Sequence, residues 1–321
     1  MQRRVAPPEV LLAQPRGFCA GVVRAIDVVE QALALYGAPV YVFHEIVHNS
    51  HVVQALRCQG AVFVDLIADI PERAVTIFSA HGVAHSVVAQ ARARQLRVID
   101  ATCPLVSKVH LQAQRYAQQG RTVLVIGHPG HDEVVGTLGV LTGPTRVVPT
   151  VQAAEQLDLP ADTALAYVTQ TTLSMDDARD IIRTLQRRFP GIEGPTRADI
   201  CYATQNRQTA VRVMARQVDC MLVVGARNSS NSCRLREVAE QHGVPAWLVE
   251  QADQIQPEWL RGARCIGVTA GASTPEFLVQ GVCNRLRTLG VRGVRQLPGV
   301  AETVRFRRPA GLAPSPALTQ P

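Results

Sequence analysis

Three cysteines stand in polar turns that follow apolar, β-branched segments: Cys19 in RGFCAGV, Cys103 in ATCP and Cys201 in ICYATQNRQ. They lie 84 and 98 residues apart, about one in each third of the chain. By spacing alone, three unrelated turn residues are the simpler account. Their common placement raises the alternative of one thiolate from each third meeting at a metal. Three thiolates would leave one corner of a four-iron cluster open to a substrate. Five further cysteines complete the set of eight. Cys58, Cys220, Cys265 and Cys283 fall in apolar or helical stretches and are expected to be small buried hydrophobes. Cys233, just past a serine-rich turn, fits either description. No two cysteines lie within five residues of one another, which excludes zinc ribbons, thioredoxin-type pairs and the compact ferredoxin run. Eight in 321 residues is not a disulfide scaffold.

Other turns carry histidines, hydroxyls and one useful carboxylate. His44-Glu45-Ile46-Val47-His48 matches the zinc-protease pattern, which needs both histidines on one helix face. Here the pattern follows directly on a strand and runs into a turn at Asn49-Ser50, so that chemistry is not expected. His81 in SAHG and His128 and His131 in GHPGHDE are turn histidines too. One alone would be a loop cap, but several in corresponding turns suggest a pocket for an anion. Glu133 is the carboxylate to nominate as proton donor, although a glutamate at a helix start is also favoured by the helix dipole. Ser229-Ser230-Asn231-Ser232 exceeds what a helix cap requires and would surround a phosphate with neutral donors. Thr171 and Thr172 in TQTTLS and Ser273 and Thr274 in TAGAST repeat the arrangement. With neither a Walker A nor a G-x-G-x-x-G sequence present, a nucleotide is not indicated.

These turns need elements to position them. Strands are expected at Val10–Ala13, Val40–Phe43, Val62–Asp65, Val75–Phe78, Arg97–Asp100, Thr122–Ile126, Ala164–Thr169, Cys220–Val224, Ala246–Val249 and Cys265–Thr269. Most are too continuously apolar to be half exposed, and read as parallel strands buried on both faces. Helices are expected at Gly21–Leu35, Leu105–Gln118, Asp176–Arg188, Thr204–Arg216 and Pro275–Leu289. Such alternation argues an α/β fold with largely parallel sheets. Every polar turn named above follows a strand and precedes a helix, the carboxyl edge where α/β folds bind ligands and helix N-termini offer N–H groups to an anion.

Composition narrows the class. With 47% hydrophobic and 18% charged residues the chain has material for real cores, so disorder is excluded as its dominant state. Aromatics at 4% count against reading single strands of nucleic acid by stacking. The net charge of +7 comes almost wholly from arginine, with Lys108 the one lysine, and forms no long run. No nucleic-acid groove follows from it. Pro7, Pro8 and Glu9 interrupt any signal-peptide core, and no apolar run approaches the roughly 20 residues that span a bilayer. A soluble protein of the reducing cytoplasm is expected, with a Pro/Ala-rich tail from 309 to 321 expected to be disordered.

Taken together, PRGFCAGV, HEIVHN, FSAHGV, DATCPLV, GHPGHDEV, TQTTLS, DICYATQNRQ, NSSNS and GVTAGAST run in the order of the LytB/IspH family, and the chain resembles that family from about residue 10 to 290. The resemblance implies three small α/β units in a trefoil around a central iron–sulfur cluster. The boundaries expected for them are 10–102, 103–200 and 201–300, with a largely disordered tail at 301–321. It also implies one 4Fe-4S cluster held by Cys19, Cys103 and Cys201 with one open iron. His48, His81, Ser229, Ser230, Asn231 and Ser273 would hold an allylic diphosphate, with His131 and Thr171 near its hydroxyl and Glu133 supplying protons. The implied reaction is the reductive dehydroxylation of 4-hydroxy-3-methylbut-2-enyl diphosphate to isopentenyl and dimethylallyl diphosphates, the last step of the MEP pathway. Reduced ferredoxin or flavodoxin would donate the electrons, with no nucleic acid or membrane involved. The chain departs from the family pattern at Val23, where an acidic residue is expected, at Cys233, and in its longer N-terminus and its tail. None of these touches a nominated ligand.

Two other classes of function compete. A non-catalytic iron–sulfur sensor would need the cysteines but no substrate pocket, so Glu133 and the diphosphate set weigh against it. A nucleic-acid-binding module rests on charge alone.

Overall fold

Short apolar strands followed by amphipathic helices can bury both sheet faces only when strands run parallel and helices cross over between them. The computed structural model describes residues 8–160, 162–309 and 312, and twelve strands and ten helices alternate through them. The strands are β1 (Glu9–Leu12), β2 (Val40–Phe43), β3 (Ala61–Val64), β4 (Val75–Phe78), β5 (Arg97–Asp100) and β6 (Thr122–Ile126). They continue with β7 (Thr145–Val148), β8 (Leu165–Thr169), β9 (Cys220–Val224), β10 (Ala246–Val249), β11 (Cys265–Ala270) and β12 (Gly293–Gln296). The helices are α1 (Ala20–Tyr36), α2 (Ser50–Cys58), α3 (His85–Ala93), α4 (Pro104–Gln118) and α5 (Asp132–Gly139). After them come α6 (Val151–Glu155), α7 (Met175–Arg188), α8 (Tyr202–Ala215), α9 (Ser230–Gln241) and α10 (Glu276–Thr288).

Three sheets result, in the orders β10-β9-β11-β1-β12, β3-β2-β4-β5 and β7-β6-β8, and every strand pairing in them is parallel. The chain divides into two compact units. The first comprises the described residues up to Cys19, Thr172–Met175 and Ile200–Val304, and holds the five-stranded sheet. The second comprises Ala20–Thr171, Asp176–Asp199 and the described residues from Arg305 onward, and holds the other two sheets.

In the first unit, alternation along the strands feeds two cores. Val10, Leu12, Leu222, Val224, Ile266 and Val268 face α10 through Leu278, Val279, Val282 and Leu286. Leu11, Ala13, Met221 and Val223 face α8 and α9 through Val211, Met214, Leu235 and Val238. In the second unit, Val123, Val125, Ala166 and Val168 of the three-stranded sheet pack against Val109, Ala113 and Tyr116 of α4. Phe43 and Phe78 of the four-stranded sheet close over Ile67, Ile70 and Ala91.

Three observations depart from the sequence expectations. β1, placed by sequence at the start of the 10–102 unit, pairs instead with β11 and β12, Glu9–Leu12 lying alongside Cys265–Val268 and Gly293–Gln296. Neighbourhood in sequence carries no information about which strand a short apolar segment will join. The edge strands β7 and β12 were not anticipated, because partial exposure dilutes their apolar pattern. In the segment expected to be a disordered tail, Glu302 meets Arg207, and Arg308 pairs with Asp27. Beyond Pro309 the tail lies outside the described residues, apart from Leu312.

Arg207 of α8 is fully buried and holds the turn that leads to Cys19. Its guanidinium donates to the Gly17 carbonyl at 2.7 and 3.2 Å, to the Ala203 carbonyl at 2.9 Å, and to the Glu302 carboxylate at 3.0 and 3.1 Å. Gly17 sits at φ +68° with the Thr274 carbonyl 3.0 Å from where a Cβ would stand, so a side chain there is disfavoured twice over. Replacing Arg207 by Met leaves the Gly17 carbonyl without its guanidinium donor and takes the paired cation from the Glu302 carboxylate, which keeps the Asn206 amide at 3.1 Å. We expect Arg207→Met to cost about 3–5 kcal/mol, as removal of one partner from a buried charge pair does, read as a lowered calorimetric unfolding midpoint.

Candidate active site

The four-stranded sheet delivers three of the nominated turns from adjacent strands. β2 leads to His44–His48, β4 to Ser79–Gly82 and β5 to Ala101–Cys103. Backbone bonds tie these turns together: Ala80 N–H donates to the Ile46 carbonyl at 3.3 Å, and Cys103 N–H donates to the Ala80 carbonyl at 3.0 Å. His44 adopts φ +60° and residues 44–49 are not helical, so the zinc-protease pattern has no helix to display it. Gly82, at φ +79°, has His110 only 2.7 Å from its would-be Cβ, which requires glycine beside His81.

His48 and His81 stack with ring centroids 4.1 Å apart, and His131 meets them edge-on at 5.7 and 6.1 Å. His131 comes from the neighbouring three-stranded sheet, at the end of the β6 turn, where it caps α5. Its Nδ1 accepts the Glu133 N–H at 3.2 Å, which leaves its ring proton on Nε2. Burial, reinforced by the neighbouring His48, pulls the His131 pKa down to about 4, and burial also holds His81 well below its ordinary value. Both are therefore neutral donors at pH 7. Asp132 behaves oppositely: its hydrogen bond with His44 (3.2 Å) lowers its pKa to about 2 and raises that of His44.

Glu133, the next residue, is buried at 2% exposure. Burial pushes its pKa up to about 7 even though it accepts two bonds from Thr171, the N–H at 2.6 Å and the hydroxyl at 2.9 Å. Thr171 follows β8, the strand beside β6, which is how residues 38 apart in sequence come into contact. Asp199, also buried, receives the Thr169 N–H at 3.1 Å and contacts Lys108 at 3.4 Å; burial raises its pKa.

Within the first unit, the adjacent strands β9, β11 and β1 lead to Ser229–Asn231, Ser273 and Cys19. The Ser229 hydroxyl caps α9 by accepting the Ser232 N–H at 3.3 Å. Ser230 accepts the Thr172 hydroxyl at 3.0 Å. Asn231 is 4% exposed, and neither its amide nitrogen nor its amide oxygen has a hydrogen-bond partner. A buried amide left in this state marks a place for a polar ligand. Ser273 is buried, and its turn is tied to that of Cys19 by the Cys19 N–H, which donates to the Ala272 carbonyl at 3.1 Å.

Cys19 immediately precedes α1, Cys103 is the N-cap of α4 and Cys201 the N-cap of α8. Each therefore stands where the free N–H groups of a helix start are presented to its side chain. Cys201 Sγ accepts the Thr204 N–H at 3.4 Å and lies 3.1 Å from its hydroxyl. All three are partly exposed and no disulfide joins them, so their donor chemistry fits an iron–sulfur cluster. The other cysteines are built differently. Cys220, Cys265 and Cys283 are buried as expected, with the Cys220 thiol pushed up to about 11 by burial. Cys58 was expected to be buried and is exposed, because it ends α2 on the outward face. Cys233 donates to the Arg227 carbonyl at 3.2 Å.

Known proteins match this chain over nearly its whole length. A sequence profile described as LytB protein matches residues 10–287. The chain belongs to the LytB family. A 4-hydroxy-3-methylbut-2-enyl diphosphate reductase of Bradyrhizobium diazoefficiens is 57% identical to it, covering 96% of this chain and 100% of the relative. The reductase of Bordetella pertussis is 56% identical over 98% of this chain and 97% of its own length. Among solved structures, the E-1-hydroxy-2-methyl-but-2-enyl-4-diphosphate reductase of Plasmodium falciparum superposes with a TM-score of 0.92 at 37% identity, covering 95% of this chain and 97% of that one.

Asp132 and Arg207 were not singled out from sequence, although both lie inside quoted motifs. Asp132 sits between His131 and Glu133, and a carboxylate beside several histidines was the available signal. Arg207 gave none, since a lone arginine on a helix normally faces solvent.

The Glu133 shift has a consequence for stability. Its folded pKa of about 7 lies above the ordinary 4.5, so the folded state holds a proton that the unfolded state has released. Its contribution is fully present below pH 4.5 and is lost as pH rises through 7. Glu133→Gln removes that loss. Denaturant titrations across this window should show the variant gaining on the parent as pH rises, by up to about 3 kcal/mol.

Proposed function

We propose that this chain is an iron–sulfur reductase that converts 4-hydroxy-3-methylbut-2-enyl diphosphate to isopentenyl and dimethylallyl diphosphates, the last step of the MEP pathway. The single observation that carries the reading is Glu133, buried, poised near pH 7 and locked to Thr171, in a chain with near-full-length LytB relatives. The reaction takes an allylic alcohol, two electrons and two protons, and releases water. Cys19 and Cys201 of the first unit and Cys103 of the second are the ligands we assign to one 4Fe-4S cluster with an open iron. Such a cluster, when bound, supplies electrons singly and a Lewis-acidic iron.

The protein's own groups handle binding and protons. Protonated Glu133 can pass its hydrogen to Thr171 Oγ1 while the Thr171 hydroxyl hydrogen moves on to the leaving oxygen. The 2.9 Å Oγ1–Oε2 contact serves that relay once the Thr171 hydroxyl hydrogen turns from the carboxylate to the leaving oxygen. The Thr171 N–H stays on the carboxylate and stabilises the charge left behind. His131 offers Nε2–H beside this pair as a neutral donor to the substrate hydroxyl. In the second unit His48 and His81 are assigned to the diphosphate. In the first unit Ser229, Ser230, Asn231 and Ser273 are assigned to it, at the start of α9, where N–H groups also face an anion. The neutral hydroxyl and amide donors of that set grip a diphosphate without trapping it, which suits a product that must leave.

Reduced ferredoxin or flavodoxin is the electron donor in this reading. No helix among the described residues is long and apolar enough to cross a membrane. A cytoplasmic setting belongs to the proposal, because thiols and a labile cluster need a reducing compartment.

Anaerobic protein given the substrate and a strong one-electron reductant should form both five-carbon diphosphates, detected by mass spectrometry. Cys103→Ser should lose product together with cluster iron and sulfide. Glu133→Gln should keep iron and sulfide while kcat falls on the order of a hundredfold. A full cluster without turnover would favour a sensor, and no cluster would defeat the reading.

A further inference from the structure

We infer that a basic cleft beside Cys103 is the docking surface for an acidic one-electron carrier protein. The inference rests on the reductase reading, because it takes Cys103 to be a cluster ligand. The cleft has a volume of about 520 Å³ and lies wholly within the second unit. Thr102 and Pro104, the chain neighbours of Cys103 on either side, both line it. The cleft therefore lies against the backbone on both sides of that cysteine, whose own side chain is not part of its lining.

Its charge is lopsided. Arg24, Lys108 and Arg115 line it against a single carboxylate, Asp100, whose Oδ1 is engaged by the Thr102 N–H at 2.8 Å and by the Thr102 hydroxyl. Arg24 spends its donors on neutral groups, the carbonyls of Ala101 and Thr102 at 3.0 Å, so its positive charge is not cancelled. Lys108 shares its charge with buried Asp199 at 3.4 Å, yet its side chain remains 43% exposed. Arg24 Nε also holds the carbonyl of Arg307 at 2.7 Å, which fixes the backbone of a further exposed cation beside Arg24.

The shape points to a protein rather than a small anion. Ser107, Lys108, Leu111 and Arg115 continue from Pro104 at helical spacing, and together they form a strip along one face of α4. Eleven residues of rise make this strip about 16 Å long, more than a diphosphate-sized ligand can span. Leu111 stands in its middle with 56% of its surface exposed, an apolar centre between cations. Small, charged interfaces with a modest apolar core are typical of transient redox encounters, in which opposite charge raises the on-rate. The reaction needs two single-electron deliveries per turnover, so a partner that binds weakly and leaves quickly fits.

The test compares two reductants on the cluster-loaded enzyme: a reduced, acidic plant-type 2Fe-2S ferredoxin, and reduced methyl viologen, a small cation that this surface cannot attract. A Ser107→Glu, Arg115→Glu double variant should raise KM for ferredoxin about tenfold. Its kcat, viologen-driven rate and iron and sulfide content should match the parent. Rising salt should raise the parent's ferredoxin KM and affect the variant's much less. An unchanged KM would overturn the inference. So would an equal rise in Arg183→Glu, a reversal on the 71% exposed side chain of α7. If the parent holds iron but fails to turn over even with viologen, the reductase reading itself has failed and the docking inference falls with it.

Discussion

Every strand pairing in the three sheets is parallel, and that constraint places the chemistry. Parallel strands bring all their carboxyl ends to one edge of a sheet, and neighbours sit about 4.8 Å apart, within side-chain reach across adjacent turns. β2, β4 and β5 therefore set His48, His81 and the Cys103 turn side by side, and β6 and β8 bring Glu133 to Thr171. In the first unit, β9, β11 and β1 do the same for Ser229–Asn231, Ser273 and Cys19. The helices that follow add N–H groups pointing at whatever occupies those turns, which favours anions and thiolates alike.

Within that frame, two consecutive carboxylates are driven to opposite ends of the scale. Asp132 reaches out to His44 and is held ionised, down at about 2, while Glu133 points into a dry pocket and keeps its proton up to about 7. Successive residues in the first turn of a helix face directions about 100° apart, so one peptide unit separates a structural anion from a proton source. The same buried setting keeps His81 and His131 neutral, and Asp132 is the fixed negative charge beside His44, whose pKa it raises.

A site of this kind demands rigid turns, and the polar interior supplies them. Arg207 satisfies carbonyls of the Cys19 turn from the far side of α8, and Asp199 holds the end of β8 just ahead of Thr171. Each is costly to bury and is retained with its partners in place, as buried polar groups must be. Asn231 contrasts with them, a buried amide with both atoms unsatisfied, and it lies where the family resemblance puts a diphosphate.

Much of this was legible in the sequence. Alternating apolar segments and helices dictated an α/β fold, because continuously apolar strands can be buried only between helix layers. The strand-to-helix position of Cys19, Cys103 and Cys201, of His81, of Glu133 and of Ser229–Asn231 followed from the same pattern. Partnership between distant segments did not. That β1 joins β11 and β12, that Cys58 ends on an outward helix face, that Asp132 finds His44 and that Arg207 turns inward were decided by tertiary packing. Periodicity reports which face of an element is apolar, and it is set by neighbours along the chain. Which strand lies beside which, and hence which charges share a buried space, depends on residues as much as 286 positions away, and only the folded chain brings them together.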